Sequence, residues 1–315
     1  MILRVAQGVA VVFAAATLAF VLLQLAPGDP ATALGEGVSP ELRATIRAQY
    51  GLDSSLAVQY GRWLWSLLHG DLGWSRDQHR SVAAVLSDAL PRSLFLMGCA
   101  LSVSLVGGML IGAWQGARAG SRRDRATSTA LLVLYSLPEF WLAMLLVVLF
   151  AHHLHWLPAT GITSETYDYM STREQLQDRV RHLVLPLASL SLVGVSVFAR
   201  YQRNAMQDSM AQAFVRTARA KGLTESAVRR EAWRSALLPV ITMTGVMLPA
   251  LITGAVFVER VFSWPGMGFA MIRAIEARDY PVVSAGVILG SAVTAVGAAF
   301  ADIARELADP RLRSP

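Results

Sequence analysis

Six stretches of this 315-residue chain are long and apolar enough to cross a bilayer, and they restrict its architecture more than anything else in it. They are Val5–Ala26, Leu94–Trp114, Thr127–Ala151, Leu183–Ala199, Leu237–Val258 and Val282–Ala301. Inside hydrocarbon every backbone polar group needs an internal partner, so spans of this composition are helices. The expectation is an all-α membrane protein with six transmembrane helices. A charged fraction of 16% and a mean hydropathy of +0.45 agree, because soluble domains carry about 25% charged residues. The first run could pass for a signal peptide, with Arg4 before it and Ala31-Thr-Ala33 after it. Its apolar core exceeds the roughly 7–15 residues of a signal, so it reads as an uncleaved span.

The basic residues orient these spans. With the N-terminus in the cytoplasm, the inner segments hold sixteen basic and seven acidic residues, and the outer ones eleven and fourteen. The loop Gln115–Ala126, with four arginines, is the clearest case of the positive-inside rule. Both termini and the polar stretch Phe214–Pro239 then lie in the cytoplasm. The organisation that follows is a first span over 1–26, an extracytoplasmic segment over 27–91, a five-span core over 92–309 containing a cytoplasmic loop at 204–236, and a tail over 310–315.

Phe214–Pro239 reads as a helical hairpin. Ala, Arg and Lys favour helix up to Lys221, and Gly222 suits a left-handed stop. Leu223 folds back on the first helix, Thr224 caps the second, and Glu225 sits at its positive dipole end. Arg216, Arg219, Lys221, Arg229, Arg230 and Arg234 make the hairpin strongly basic. A basic segment lying on anionic lipid is the bland alternative, but such a helix gains nothing from a glycine break.

The outer segment opens with Pro27-Gly-Asp-Pro30, which stops the first span, and Ser39-Pro-Glu-Leu42 begins a capped helix reaching about Tyr50. Gln59–Leu68 sets Tyr60, Trp63, Leu64, Leu67 and Leu68 on one face, suited to the membrane surface or to the domain itself, and Gly70–Ser75 is a turn. In the second span Gly108, Gly112 and Gly116 form two overlapping small-xxx-small repeats, and Gly286 with Gly290 repeats the spacing in the last. Packing within the bundle accounts for both, and the same spacing also serves dimerisation.

In the third span Pro138 frees a backbone carbonyl that Ser136 is placed to satisfy. Glu139 is the one acidic residue inside a span, and an ionised carboxylate at mid-span costs about 2.5–3.5 kcal/mol on insertion scales. Either it lines a solute path that favours a cationic or amine-bearing substrate, or it is a paired or protonated structural group. Pro249 kinks the fifth span, for motion or for shape alone. Ser136, Glu139 and Pro249 are the candidates for a translocation path.

Several activities are excluded or weakened. Lys221 is the only lysine and precedes glycine, so a phosphate-binding loop ending in Lys-Ser or Lys-Thr cannot occur. Neither H-E-x-x-H nor G-x-S-x-G is present, which weakens an intramembrane hydrolase. Cys99 is the only cysteine, and His152, His153 and His155 read as an interfacial cap, so no metal site is expected.

The motifs in order resemble one family along almost the whole chain. Val215-Arg-Thr-Ala-Arg-Ala-Lys-Gly-Leu223 resembles the cytoplasmic coupling ("EAA") loop of binding-protein-dependent ABC importers, in the wording of the dipeptide, oligopeptide and nickel permeases. Ala26–Pro30, Tyr50–Asp53, Gln59-Tyr60 with Trp63-Leu64, and Gly70–Gly73 with Ser75 are similar to the N-terminal signature of that group's "B" subunit. Glu259, Phe262, Pro265–Gly268 and Arg278–Pro281 resemble its loop before the last span, and Asp309–Arg313 its tail.

The resemblance implies a type I ABC importer permease fold and a non-catalytic subunit. It implies pairing with a second permease chain, two ATPase subunits that bind ATP and Mg, and an extracytoplasmic substrate-binding protein. The coupling residues would be Arg216, Thr217, Ala218, Arg219, Ala220, Lys221, Gly222, Leu223 and Thr224. The transported solute would be a di- or oligopeptide, with nickel chelate and glutathione as alternatives in the group. A stand-alone secondary transporter is the competing class, opposed by a single span carboxylate and no evident inverted repeat.

Overall fold

The computed structural model describes residues 2–25, 54–247 and 256–308. Pro249, the motifs at Ala26–Pro30, Ser39–Leu42 and Tyr50–Asp53, and the tail at Asp309–Arg313 lie outside those residues. The described chain is almost entirely helical. Its helices are α1 (Ile2–Leu25), α2 (Leu56–Leu68), α3 (Val82–Gly116), α4 (Arg122–Ser136), α5 (Glu139–Leu146), α6 (Thr172–Ala211), α7 (Ala213–Ala220), α8 (Glu225–Met247), α9 (Val256–Val261), α10 (Met267–Glu276) and α11 (Tyr280–Ala308). The β component is one antiparallel pair, β1 (Trp74–Ser75) and β2 (Arg80–Ser81), with Trp74 opposite Ser81. Among the described residues three helices are long and apolar enough to span a membrane, or four if α4 and the segment Glu139–His153 form one broken span.

The central feature is the packing of α3 along α6. Gly108, Gly112 and Gly116 face Phe198, Ala199 and Met206, and a Cβ added at Gly116 would stand 2.6 Å from the Met206 Cβ, with Gly108 and Gly112 tighter still. The repeat therefore packs two helices of the same chain, as its spacing suggested. The last-span repeat behaves differently. Gly286 faces Met271 of α10, whereas nothing lies within 4 Å of a Cβ built on Gly290.

Three expectations about the spans need correction. The helix carrying the second span, α3, begins at Val82 rather than near Leu94, so the boundary drawn between 91 and 92 falls inside it, and it carries Pro91 without ending. The reason is apolar periodicity before the proline: Val82, Val85, Leu86 and Ala89 pack against Met267, Ala270 and Ala274 of α10 and Val282 and Ala285 of α11. The fourth span, at Leu183–Ala199 the shortest of the six apolar runs, is the centre of the longest described helix. At 40 residues α6 is about 60 Å long, roughly twice a hydrocarbon core. Its start is set by the Ser171 N–H, which donates to Glu174 Oε2 at 2.9 Å.

The third span is not one straight helix. The chain leaves α4 at Leu137, Pro138 is extended at φ −60° and ψ 134°, and α5 departs at 101° to α4. Ser136 Oγ donates to the Leu132 carbonyl, and the Leu134 carbonyl that proline would orphan accepts instead from Leu137 N–H. Pro138 thus breaks the helix, and the serine serves a different carbonyl from the one anticipated.

At the end of the bundle away from α7, α2 lies against α1. Phe20 meets the rings of Tyr60 and Trp63 at 5.1 and 5.5 Å, and the Thr17 and Tyr60 hydroxyls are 2.7 Å apart. Of the two surfaces open to the aromatic face, part of it takes the domain itself. The β-pair is tied to the start of α11, because the buried Asp279 carboxylate accepts from Ser75 Oγ at 2.6 Å and from Asp77 N–H at 3.2 Å. Nearby the fully buried Glu259 accepts from Ser93 Oγ at 2.5 Å and from Phe269 N–H at 3.1 Å. Ser93 Oγ in turn accepts Met267 N–H at 2.7 Å. A buried carboxylate is tolerable at the N-terminus of α10, where orphan amides and the dipole both favour it.

Candidate functional site: the α7–α8 hairpin

The helix α7 starts after Gln212, one residue beyond the end of α6, and stops at Ala220. Its stop is built from backbone bonds: Gly222 N–H reaches the Arg219 carbonyl, Leu223 N–H reaches Ala218, and Gly222 holds φ +79°. That is the left-handed glycine stop read from the sequence. Thr224 begins α8 as expected, its Oγ1 accepting Ala227 N–H at 3.4 Å. The Leu223 backbone folds back on α7, but its side chain stays 44% exposed rather than covering the first helix.

Two devices hold the hairpin in one shape. Val215, the buried residue of α7, joins Val228, Ala232 and Ala236 of α8 and Met206 of α6 in a small core, with Ala117 and Trp233 packed against it. Across the turn Arg219 donates from Nε to Glu225 Oε1 at 2.8 Å and from Nη2 to Oε2 at 3.2 Å. The guanidinium holds the Glu225 carboxyl below its usual range. What remains outward is Phe214, Arg216, Thr217, Ala220, Lys221 and Leu223, three apolar side chains within a basic surface. Ala218 is half-buried.

The hairpin is seated on a second, less visible clamp. Asp124 at the start of α4 is 1% exposed and takes a bidentate contact from Arg203 of α6, Nε to Oδ1 at 2.7 Å and Nη2 to Oδ2 at 2.8 Å. Gly120 N–H adds a bond at 2.9 Å, and together these donors depress the Asp124 carboxyl to about 2. The pair ties the loop after α3 to the last third of α6, whose end leads into α7. A sequence signal existed for its acid, though not for the partner: Asp124 is the lone acid in the arginine-rich loop Gln115–Ala126.

The path candidates lie apart from the hairpin. Ser136 and Glu139 flank the break between α4 and α5, both exposed on the surface of the chain, and Glu139 occupies the first turn of α5. The ring of Phe140 beside it meets Phe257 of α9 at 6.1 Å. No group of three or more metal-ligating side chains is present among the described residues.

A polytopic helical protein with a stiff, basic, surface-mounted hairpin is the class that this geometry defines. The comparisons assign the family. Residues 108–314 match the family described as binding-protein-dependent transport system inner membrane component, and residues 1–97 match its N-terminal membrane component. The chain belongs to that family. A Brucella abortus (strain 2308) protein named for a peptide transport system permease is 37% identical over 313 residues, covering 98% of this chain and 97% of its own. The oligopeptide transport system permease protein of Bacillus subtilis (strain 168) is 32% identical, with the same coverage. The di/tripeptide transport system permease protein of Pseudomonas aeruginosa (strain UCBPP-PA14) is 36% identical over 96% of this chain and 94% of its own. The permease resemblance read from the motifs is therefore correct, and the chain is an inner membrane component of a binding-protein-dependent transport system.

Proposed function

We propose that this chain is one of two permease subunits of an ABC importer for di- or oligopeptides, crossing the membrane six times with both termini in the cytoplasm. The second permease chain, two ATPases carrying ATP and Mg, and an extracytoplasmic binding protein complete the transporter. The peptide substrate rests on the names of the relatives at 32–37% identity. The spans correspond to α1, α3, the broken pair α4–α5, α6, the stretch beginning in α8, and α11.

The observation that carries the mechanism is the hairpin's construction. A two-turn helix closed by a glycine stop, clasped by Arg219–Glu225 and seated through Val215, moves as a solid piece with α6 and α8. Its outward Phe214, Arg216, Lys221 and Leu223 suit a mixed apolar and acidic cleft in an ATPase. When nucleotide closes that subunit, the displaced hairpin turns the spans attached at both its ends. Glu139 and Ser136 would line the path. An exposed carboxylate on a span needs a cavity or a partner helix to face, and the second permease subunit supplies one.

The test is Gly222→Val. A β-branched residue at φ +79° is strained, so the turn that closes α7 opens. In the assembled transporter ATP hydrolysis continues while peptide uptake falls at least tenfold. Unchanged uptake with normal membrane insertion would overturn the coupling role.

A further inference from the structure

A cleft of about 300 Å³ opens between α3, α4 and α6, next to the Asp124–Arg203 clamp. Leu131, Leu132 and Tyr135 give it an apolar wall, and Gln115, Arg200 and Asn204 give it a polar end. We propose that it binds one anionic phospholipid of the cytoplasmic leaflet, the phosphate on Arg200 and the acyl chain along Leu131 and Leu132.

Four observations converge. Arg200 has no carboxylate partner among the described residues and is held over the face of Tyr135, its Cζ 4.8 Å from the ring centroid. That leaves its N–H groups free at the rim for an anion. Arg203 beside it is already paired with Asp124, so the charge of that acid is compensated next to the cleft. Gln115 is fully buried with its Oε1 unpartnered, while its Nε2 serves Ser128 at 3.0 Å. Gln115 borders the cleft, so a headgroup bearing hydroxyls beyond the phosphate, as in phosphatidylglycerol, places donors beside this amide. Finally, the wall continues outward into Leu132 and Val133, each 57% exposed, so that an acyl chain leaving the cleft stays on apolar surface.

Position agrees with chemistry. Gln115 and Arg200 are the first residues beyond the apolar runs Leu94–Trp114 and Leu183–Ala199, so the polar end lies at headgroup depth. Basic clefts between spans on the cytoplasmic side are suited to anionic headgroups. The inference rests on the cytoplasmic placement of this end but not on the transported solute or on the ATPases.

The experiment uses the full chain purified in detergent and titrated with phosphatidylglycerol or phosphatidylcholine, with retained lipid read by native mass spectrometry. One phosphatidylglycerol is retained in preference to phosphatidylcholine. Arg200→Gln weakens retention about fivefold, the order expected for one arginine near an anionic surface, and Arg200→Lys restores most of it. Arg122→Gln, outside the cleft, leaves it unchanged. Equal retention of the two lipids, or an equal loss in Arg122→Gln, overturns a defined site in favour of diffuse charge. Displacement of the lipid by millimolar inorganic phosphate alone overturns the lipid as occupant. In the assembled transporter a photocrosslinker at position 132 labels lipid; labelling of the second permease chain instead overturns the proposal. Sidedness is read separately from a cysteine placed at position 122, so an error of orientation is distinguishable from an empty cleft.

Discussion

The α3–α6 interface and the α7–α8 hairpin are adjacent and are built on opposite rules. The interface brings backbone to backbone through Gly108, Gly112 and Gly116, and locks its end with a carboxylate that is 1% exposed. The hairpin has one small core around Val215, and its ion pair lies in the open, with side chains 46% and 57% exposed. Both arginine–carboxylate pairs are bidentate, so their geometry does not separate them. Their surroundings do. Removing one member of a buried pair strands a charge, whereas an exposed pair returns to water at little cost. The shaft is therefore rigid through burial, and the head keeps its polar surface free for a partner.

The largest expected effect is at the shaft. Gly112→Leu forces a side chain against the Ala199 carbonyl and the Arg203 amide, and neither backbone can retreat. Thermal unfolding in detergent should show a loss of about 3 kcal/mol or more, or no folded protein. An unchanged midpoint would mean that α3 and α6 pack differently.

Next comes Asp124. Its carboxyl is depressed from the ordinary value to about 2, chiefly by the Arg203 hydrogen bonds. A depressed carboxyl stabilises fully above its unfolded pKa, and the contribution is lost as pH falls from about 4 towards 2. The shift corresponds to at most about 2.5 kcal/mol, less whatever solvent screening removes so near the surface. Asp124→Asn should lower stability at neutral pH and abolish that acid step. A variant that retains the step would place its origin elsewhere.

The hairpin's effects are smaller. Val215→Ala removes two buried methyl groups and should cost about 2 kcal/mol, read best as faster hydrogen exchange across α7 and the start of α8. Arg219→Ala should leave the unfolding midpoint unchanged. A drop as large as that of Asp124→Asn would erase the distinction between shaft and head.

How much of this was legible in the sequence depended on separation along the chain. The Gly222 stop and the Thr224 cap are local devices, each settled within a few residues, and they stand where the sequence placed them. The glycine repeat was legible as a groove, though not which helix fills it. Asp124 and Arg203 are 79 positions apart, and nothing in either neighbourhood selects the other. The Ser93–Glu259 bond spans 166 positions and joins α3 to α9, two elements that sequence patterns treat separately. Apolar run lengths misled at α6, because charged turns at both ends continue the helix beyond the apolar centre.

By itself the sequence determined which segments are apolar enough for a membrane and where the short-range stops and caps fall. Run lengths, basic loops, one glycine and one threonine carry those, since hydrophobic transfer and backbone sterics act residue by residue. Only the tertiary structure decided that Pro138 breaks its span through 101°, that Glu259 is buried at the head of α10, and that Asp124 is consumed by Arg203 while Arg200 has no acidic partner among the described residues. Those outcomes depend on which distant groups share a low-dielectric space, and that is set by packing.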